Sequence, residues 1–273
     1  MVAYAHFARD RENAPSRTVA YSGRTVTFPD LPAHAAFFDT LAAGRWDADL
    51  FKFLARCVDE RTVYIDVGAW LGVSPFWAAQ RAKKVIAVEP DPVCLQALEA
   101  MQPLNSAGAP VTIIAAALSN DAQLTLRAVE RLGSSMTSAV RVGSGRGFSA
   151  RGVSIQQLID MAEGAPLCLK IDIEGYEYHL VAQLAGVPAG QTKGVLVSLH
   201  PRFYLGSLSG GLIARRAKTA VATLRVARAL KAFRLTNPQA LARVLFSLAF
   251  QKRPVHRDLI FVAPRQRENP NPI

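Results

Sequence analysis

Cysteine is scarce in this chain, long apolar runs are missing, and one extended stretch has no acid at all. The three cysteines among 273 residues are Cys57, Cys94 and Cys168. Their odd number and wide spacing give neither a disulfide framework nor a zinc-ligand pattern, so they read as buried free thiols in a reducing compartment. No run of about 18 uncharged apolar residues occurs, which leaves no candidate for a spanning helix. Residues 1–17 hold no apolar run of signal-peptide length. The expectation is a cytoplasmic protein, with peripheral contact at the inner membrane face open to it. Internal repeats and low-complexity tracts are also lacking.

Between His179 and Arg257 there is no Asp or Glu, while thirteen Lys or Arg occur. Taking those thirteen from the formal net charge of +11 leaves the rest of the chain at −2. The basicity therefore belongs to one segment, and its field acts within about 8–10 Å at physiological salt. Half of all residues are hydrophobic and 19% are charged. That balance supports a sizeable core and excludes wholesale disorder.

Thr18–Ala20 and Arg24–Phe28 flank Tyr21-Ser22-Gly23 and read as a hairpin or an extended loop. Residues 32–41 and 47–58 carry apolar side chains at helical spacing. From Thr62 the pattern alternates. Val63–Val67, Lys84–Val88, Val111–Ala116, Leu167–Ile173 and Gly194–Leu199 are β runs, and Ser74–Ala82, Val93–Met101, a helix capped by Ser154, and Glu177–Leu184 lie between them. A further β run, Gln123–Arg127, falls outside this alternation, and residues 143–147 form a loop with three glycines. Strands alternating with helices imply a doubly wound α/β fold with a mostly parallel sheet. After Pro201 the alternation stops. Leu212–Phe233 reads as an Ala- and Arg-rich helix, Asn237-Pro238 opens another, and Leu259–Val262 returns as a last strand. The expected division is 1–60 as an N-terminal extension with helices, 61–201 as the core, 202–257 as a basic helical insertion or lid before the last strand, and 258–273 as that strand with a loose tail.

The chemistry concentrates at strand ends. Val63-Tyr64-Ile65-Asp66-Val67-Gly68-Ala69-Trp70-Leu71-Gly72 is a buried strand running through a glycine turn into a helix, where ligands of open α/β sheets bind. Asp66 can face a cationic amino group. Glu89 ends the next strand, 21 residues beyond Gly68, where an acid can accept hydrogen bonds from both hydroxyls of a ribose. A dinucleotide site requires three glycines so that a pyrophosphate can rest on the helix start. Here Ala69 and Trp70 interrupt that pattern, and an adenosine-type cofactor without phosphate suits it better. A second cluster, Leu167-Cys168-Leu169-Lys170-Ile171-Asp172-Ile173-Glu174-Gly175-Tyr176-Glu177, puts three carboxylates at another strand end.

Asp66-Val-Gly-Ala-x-x-Gly72, Glu89-Pro90 and Lys170-Ile-Asp-Ile-Glu-Gly-Tyr-Glu177, in that order, resemble the FkbM family of class I methyltransferases over roughly residues 44–201. Ala117-Leu118-Ser119-Asn120, Gly133-Ser134-Ser135 and Val153-Ser154-Ile155 are weaker echoes. The resemblance implies a Rossmann-like methyltransferase fold with S-adenosyl-L-methionine as cofactor. Asp66, Gly68 and Gly72 would line the methionine part and Glu89 the ribose, with Ala69, Pro90 and Ala117 completing the cofactor-binding set. It also implies O-methylation, often of sugars or polyketide-type products. This chain departs from the family pattern at Val197-Ser198-Leu199-His200-Pro201, where relatives carry an acid near the histidine.

Transfer to a hydroxyl calls for positioning and a proton acceptor. Asp172, Glu174 and His200 are the candidates, His200 having the best intrinsic pKa. No metal is assigned, although Asp172 and Glu174 carry the oxygen donors magnesium takes. The expected acceptor is a small molecule or glycan. Residues 202–257 read as a solvated lid, or as a peripheral contact with an anionic membrane or polymer. Nucleic acid is not an expected partner, because interleaved aromatics are missing. Two other readings stand beside this one. A nicotinamide-dependent oxidoreductase shares the fold but needs the missing glycine, and a catalytically idle surface-binding protein needs a broken cofactor motif.

Overall fold

The computed structural model describes residues 16–29, 34–128, 137–139 and 147–264. The expected polar N-terminus to residue 15, the start of the 32–41 helix, the Gly133-Ser134-Ser135 echo, the 143–146 part of the glycine loop and the tail from 265 lie outside them.

β3 (Val63–Val67) and β10 (Leu167–Ile171) are buried at every residue, and β4 (Lys84–Glu89) at all but its first. A strand covered on both faces cannot alternate with polar residues, hence the continuous apolar runs of the sequence. β3, β4, β10, β5 (Val111–Ala115) and β11 (Thr192–Leu199) pair in parallel. β13 (Arg257–Val262) runs antiparallel to β11, and β12 (Arg234–Leu235) antiparallel to β13. The order is β12-β13-β11-β10-β3-β4-β5, a doubly wound, mostly parallel α/β sheet. The chain winds outward from β3 in one direction and returns to its other side at β10, which opens a crevice at their carboxyl ends.

One face of the sheet carries β1 (Ser16–Tyr21), β2 (Arg24–Pro29), α1 (Ala35–Ala42), α2 (Ala48–Cys57), α3 (Val73–Ala79) and α4 (Pro92–Leu104). Phe28, Phe38, Leu41, Leu50, Phe51, Leu54, Phe76 and Trp77 fill that core. α2 shows why a helix forms there. Asp47 caps it, accepting from Leu50 N at 3.2 Å, and Leu50, Phe53, Leu54 and Cys57 fall on one buried face at spacings of three and four. The residues after β5 build a small separate sheet, ordered β6 (Ala117–Leu118), β9 (Gly147–Val153), β7 (Gln123–Ala128) and β8 (Thr137–Ser138), so the Gln123–Arg127 run does lie outside the main alternation. α5 (Ile155–Asp160) begins with the Ser154–Gln157 capping box.

The opposite face is covered by α5, α6 (Val181–Ala185), α8 (Leu212–Ala229) and α9 (Pro238–Phe250), with α7 (Pro201–Ser207) ahead of them. Val226 and Leu230 are fully buried there and Ala240 nearly so. Part of the basic segment thus forms a covering layer of the sheet, with Val226, Leu230 and Ala240 packed on the core beneath. The expected Leu212–Phe233 helix ends at Ala229. Glu177–Leu184 splits into a 3₁₀ turn (Tyr176–His179) and α6, since the buried Glu177 carboxylate reaches back to Gly175 N at 2.8 Å and tightens the chain. No helix among the described residues is long and apolar enough to cross a membrane.

Candidate active site

A cavity of about 680 Å³ opens at the carboxyl ends of β3, β4 and β10. Gly68, Ala69 and Trp70 from the β3–α3 turn, Glu89 and Pro90 after β4, Ala117 and Leu118, and Lys170, Asp172, Ile173 and Glu174 after β10 form its inner wall. His200, Phe203, His256 and Asp258 close one side, and Phe37, Trp46 and Asp47 reach it from the N-terminal layer.

The β3–α3 turn spends its donors inside the protein. Gly68 N and Ala69 N both donate to Val88 O at 2.9 and 3.2 Å, and Gly72 N donates to Ala69 O at 2.9 Å. Trp70 N donates to Glu89 Oε2 at 2.9 Å, and Asp91 N to Glu89 Oε1 at 2.9 Å. Glu89 is 5% exposed. Burial pushes its carboxyl up to about 7, against the pull of these two N–H groups. Gly68 has a left-handed φ of +82°, and a Cβ there would stand 1.9 Å from the Asp172 carbonyl oxygen. The glycine lets two strand ends touch.

Two expected cofactor contacts do not reach the cavity wall. Asp66 is fully buried. Its Oδ1 accepts from Lys170 Nζ at 2.9 Å, and its Oδ2 accepts from Tyr64 at 2.9 Å and from Ser74. Asp66 does not line the cavity; it anchors Lys170, which also donates to Gly68 O at 3.0 Å. Gly72 starts α3 and packs against Leu98, Phe76 and Met101. Burial alone would lower the Lys170 ammonium, but Asp66 and Asp172 outweigh it and hold the pKa above its ordinary value.

Strand β10 ends at Ile171, and the turn through Glu174 (φ +54°) and Gly175 (φ +101°) brings Asp172 and Glu174 to one histidine. His200 Nε2 lies 3.5 Å from Asp172 Oδ1 and 3.7 Å from Glu174 Oε1, and its Nδ1 lies 3.3 Å from Glu177 Oε1. Glu177 is fully buried and accepts from His200 N at 2.6 Å. Burial alone would lower the His200 pKa, but Glu177, with Glu174 and Asp172 behind it, raises it to about 10. Burial pushes Glu174 up to about 7 against the opposing charge of His200. The three carboxylates favour the imidazolium form of His200, which makes Asp172 the better placed of the expected proton acceptors. Asp172, Glu174 and His200 each offer one atom within 4.8 Å of the other two, a spacing a divalent cation can bridge; the imidazolium supplies positive charge at that point.

Sequence reasoning missed the outer wall. His256 stacks on His200 with centroids 4.4 Å apart and lies 3.3 Å from Asp258 Oδ1. Phe37 meets Trp70 at 4.6 Å and Trp46 at 5.3 Å, and Tyr21 donates its hydroxyl hydrogen bond to Trp46 O. Asp47 adopts φ +42°, and burial, reinforced by Asp258, pushes it up to about 7. The visible signals were an aromatic beside an acid in the 44–47 link and the His-x-Asp at the last strand's start; neither carries spacing that ties it to the β3 and β10 ends.

No family model and no curated protein sequence matches the chain. Solved structures with a faint likeness include a dimethyladenosine transferase from Plasmodium falciparum (11% identity, TM-score 0.40, 80% of this chain and 62% of that one). Trm5b from Pyrococcus abyssi matches at 11% identity and TM-score 0.39 over 92% of this chain and 56% of that one. StiE O-MT residues 961–1257 match at 9% identity and TM-score 0.37 over 87% and 80%. The chain therefore spans less than two thirds of the first two. At this level of likeness the functional question turns on the geometry of the cavity.

Proposed function

We propose that this protein is an S-adenosylmethionine-dependent methyltransferase acting on a hydroxyl of a sugar, glycan or natural-product acceptor. The observation that carries the reading is the β3–α3 turn. A dinucleotide's pyrophosphate needs free N–H donors at a helix start, and here the N–H groups of residues 68, 69, 70 and 72 all have protein acceptors. A phosphate-free nucleoside fits instead. Each Glu89 oxygen accepts one backbone hydrogen bond and keeps a lone pair for a ribose hydroxyl. The filled donors of the turn disfavour the oxidoreductase alternative.

When bound, the cofactor supplies an electrophilic methyl group on a sulfonium and leaves as S-adenosylhomocysteine. Gly68 and Glu89 hold the nucleoside side of the cavity. Asp172, on the wall and 31% exposed, accepts the acceptor hydroxyl's proton, a contribution of about 10²–10⁴-fold. His200 and Lys170, the latter with Nζ 3.8 Å from Asp172 Oδ2, fix that carboxylate's position. The Phe37, Trp46 and Trp70 rings offer flat apolar faces of the kind that sugar rings and polyketides stack on, and they exclude water.

Isothermal titration with S-adenosylhomocysteine, NADH and NADPH tests this. Micromolar binding of S-adenosylhomocysteine alone is expected, weakened roughly 10–100-fold in Glu89→Ala, about the loss of hydrogen bonds to a charged group. Binding of a nicotinamide cofactor in its place, or an affinity indifferent to Glu89→Ala, would overturn the assignment.

A further inference from the structure

α8 and α9 lie side by side, and Arg216 ties the start of one to the end of the other. Its guanidinium donates to Leu248 O at 2.9 Å, Gln251 O at 2.7 Å and Lys252 O at 3.3 Å. That end of the pair exposes Leu212 (51%), Ile213 (86%), Phe246 (56%) and Phe250 (77%). They are four of the six exposed large apolar side chains among the described residues. Phe246 and Phe250 are one turn apart with ring centroids 5.0 Å apart, forming a single apolar knob. Lys252 and Arg253 follow it and Arg243 precedes it, with no acid anywhere from residue 180 to 256. Exposed aromatic and aliphatic side chains set in one sign of charge are costly in water, and they match an interface that is apolar inside and anionic outside.

Grooves with shared walls lie between the knob and the cavity. A groove of about 490 Å³ beside Phe246 shares Arg243 and Arg257 with a second of about 550 Å³, and the second shares His256 and Asp258 with the main cavity.

We propose that this end of the α8–α9 pair docks on an anionic lipid bilayer, with Ile213, Phe246 and Phe250 entering the acyl boundary and Lys252 and Arg253 at the headgroups. A second copy of the chain is a poor occupant, because the patch has no acid to meet its own positive charge. An acceptor anchored in the bilayer would reach the cavity along the arginine-lined groove. That consequence rests on the methyl-transfer reading, whereas the docking does not.

The test is flotation of the full chain with vesicles of equal parts phosphatidylglycerol and phosphatidylcholine, against phosphatidylcholine alone, with no cofactor present, so that failure here is separable from failure of cofactor binding. Wild type should float with the anionic vesicles only. Phe246→Ser with Phe250→Ser should weaken binding by roughly tenfold or more. Lys252→Glu with Arg253→Glu should weaken it by at least about fivefold per charge. Both double variants should keep the wild-type melting temperature. Three outcomes overturn the proposal: no flotation, flotation that either double variant leaves unchanged, or a vesicle-free dimer in light scattering that the Phe variants dissolve. Binding to free polyanion that only the charge variants lose overturns it as well.

Discussion

His200 sits among Asp172, Glu174 and Glu177 with both ring nitrogens within 3.7 Å of a carboxylate, and that crowding fixes its protonation. A group whose pKa is raised to about 10 keeps its proton through neutral pH, so its effect on turnover is electrostatic. The positive charge favours the ionised form of the carboxylates beside it, and removing it raises the Glu174 pKa further. In His200→Gln, the acid limb of the pH–turnover profile should therefore move to higher pH. Asp172→Asn should lower turnover roughly 10²–10⁴-fold at every pH with S-adenosylhomocysteine affinity kept. Steady-state rates across pH, read beside calorimetric affinity, check both. An unmoved acid limb in His200→Gln, or full activity in Asp172→Asn, would remove this cluster from the proton path.

At the level of elements, the site depends on contact between the β3–α3 turn and the turn after β10. Gly68 is the contact point, since a Cβ there would overlap the Asp172 carbonyl. The buried Lys170–Asp66 pair, at 2.9 Å with side chains 5% and 0% exposed, locks the same two strands from within. Breaking such a pair costs more than the pair is worth, because one charge is left alone. Gly68→Ala should thus push the Asp172 turn away, abolish detectable turnover and destabilise the fold by about 1–3 kcal/mol through clash and a left-handed φ. Thermal melting and a rate assay on the same preparation check this; a stable, active Gly68→Ala protein would show that the turn has room to yield.

For the whole molecule, several pKa shifts share one sign. Glu89, Glu174 and Asp47 rise to about 7 from 4.5, 4.5 and 3.8, and His200 rises to about 10 from 6.5. In each case the folded state holds the proton more tightly than the unfolded chain. The stability so gained is complete below the unfolded value and is lost as pH rises through the folded one. The carboxyls give up theirs between about 4 and 7, and His200 between about 6.5 and 10. Asp59, lowered to about 2 by Lys193, acts oppositely but only at the acid end. Melting temperature at fixed, screening salt should decline steadily from pH 5 to pH 9; a flat or rising curve would contradict the buried charge cluster.

Much of this was legible in the residues themselves. The continuous apolar runs of β3, β4 and β10 could only be strands covered on both faces, and their spacing to Gly68 and Glu89 located the cavity's inner wall, because those relations are local along the chain. The fate of Asp66 was not legible, since Lys170, more than a hundred residues away, takes its oxygen only when β10 pairs beside β3. The protonation of His200 likewise came from three carboxylates folded around it, and the outer wall of Phe37, Trp46, His256 and Asp258 came from segments with no sequence link to the motifs. Which sides of α8 and α9 are buried was decided by the sheet they cover. Periodicity tells a chain which side of a helix is apolar, but which neighbour receives that side, and which charges meet in a low-dielectric interior, is decided by tertiary contact.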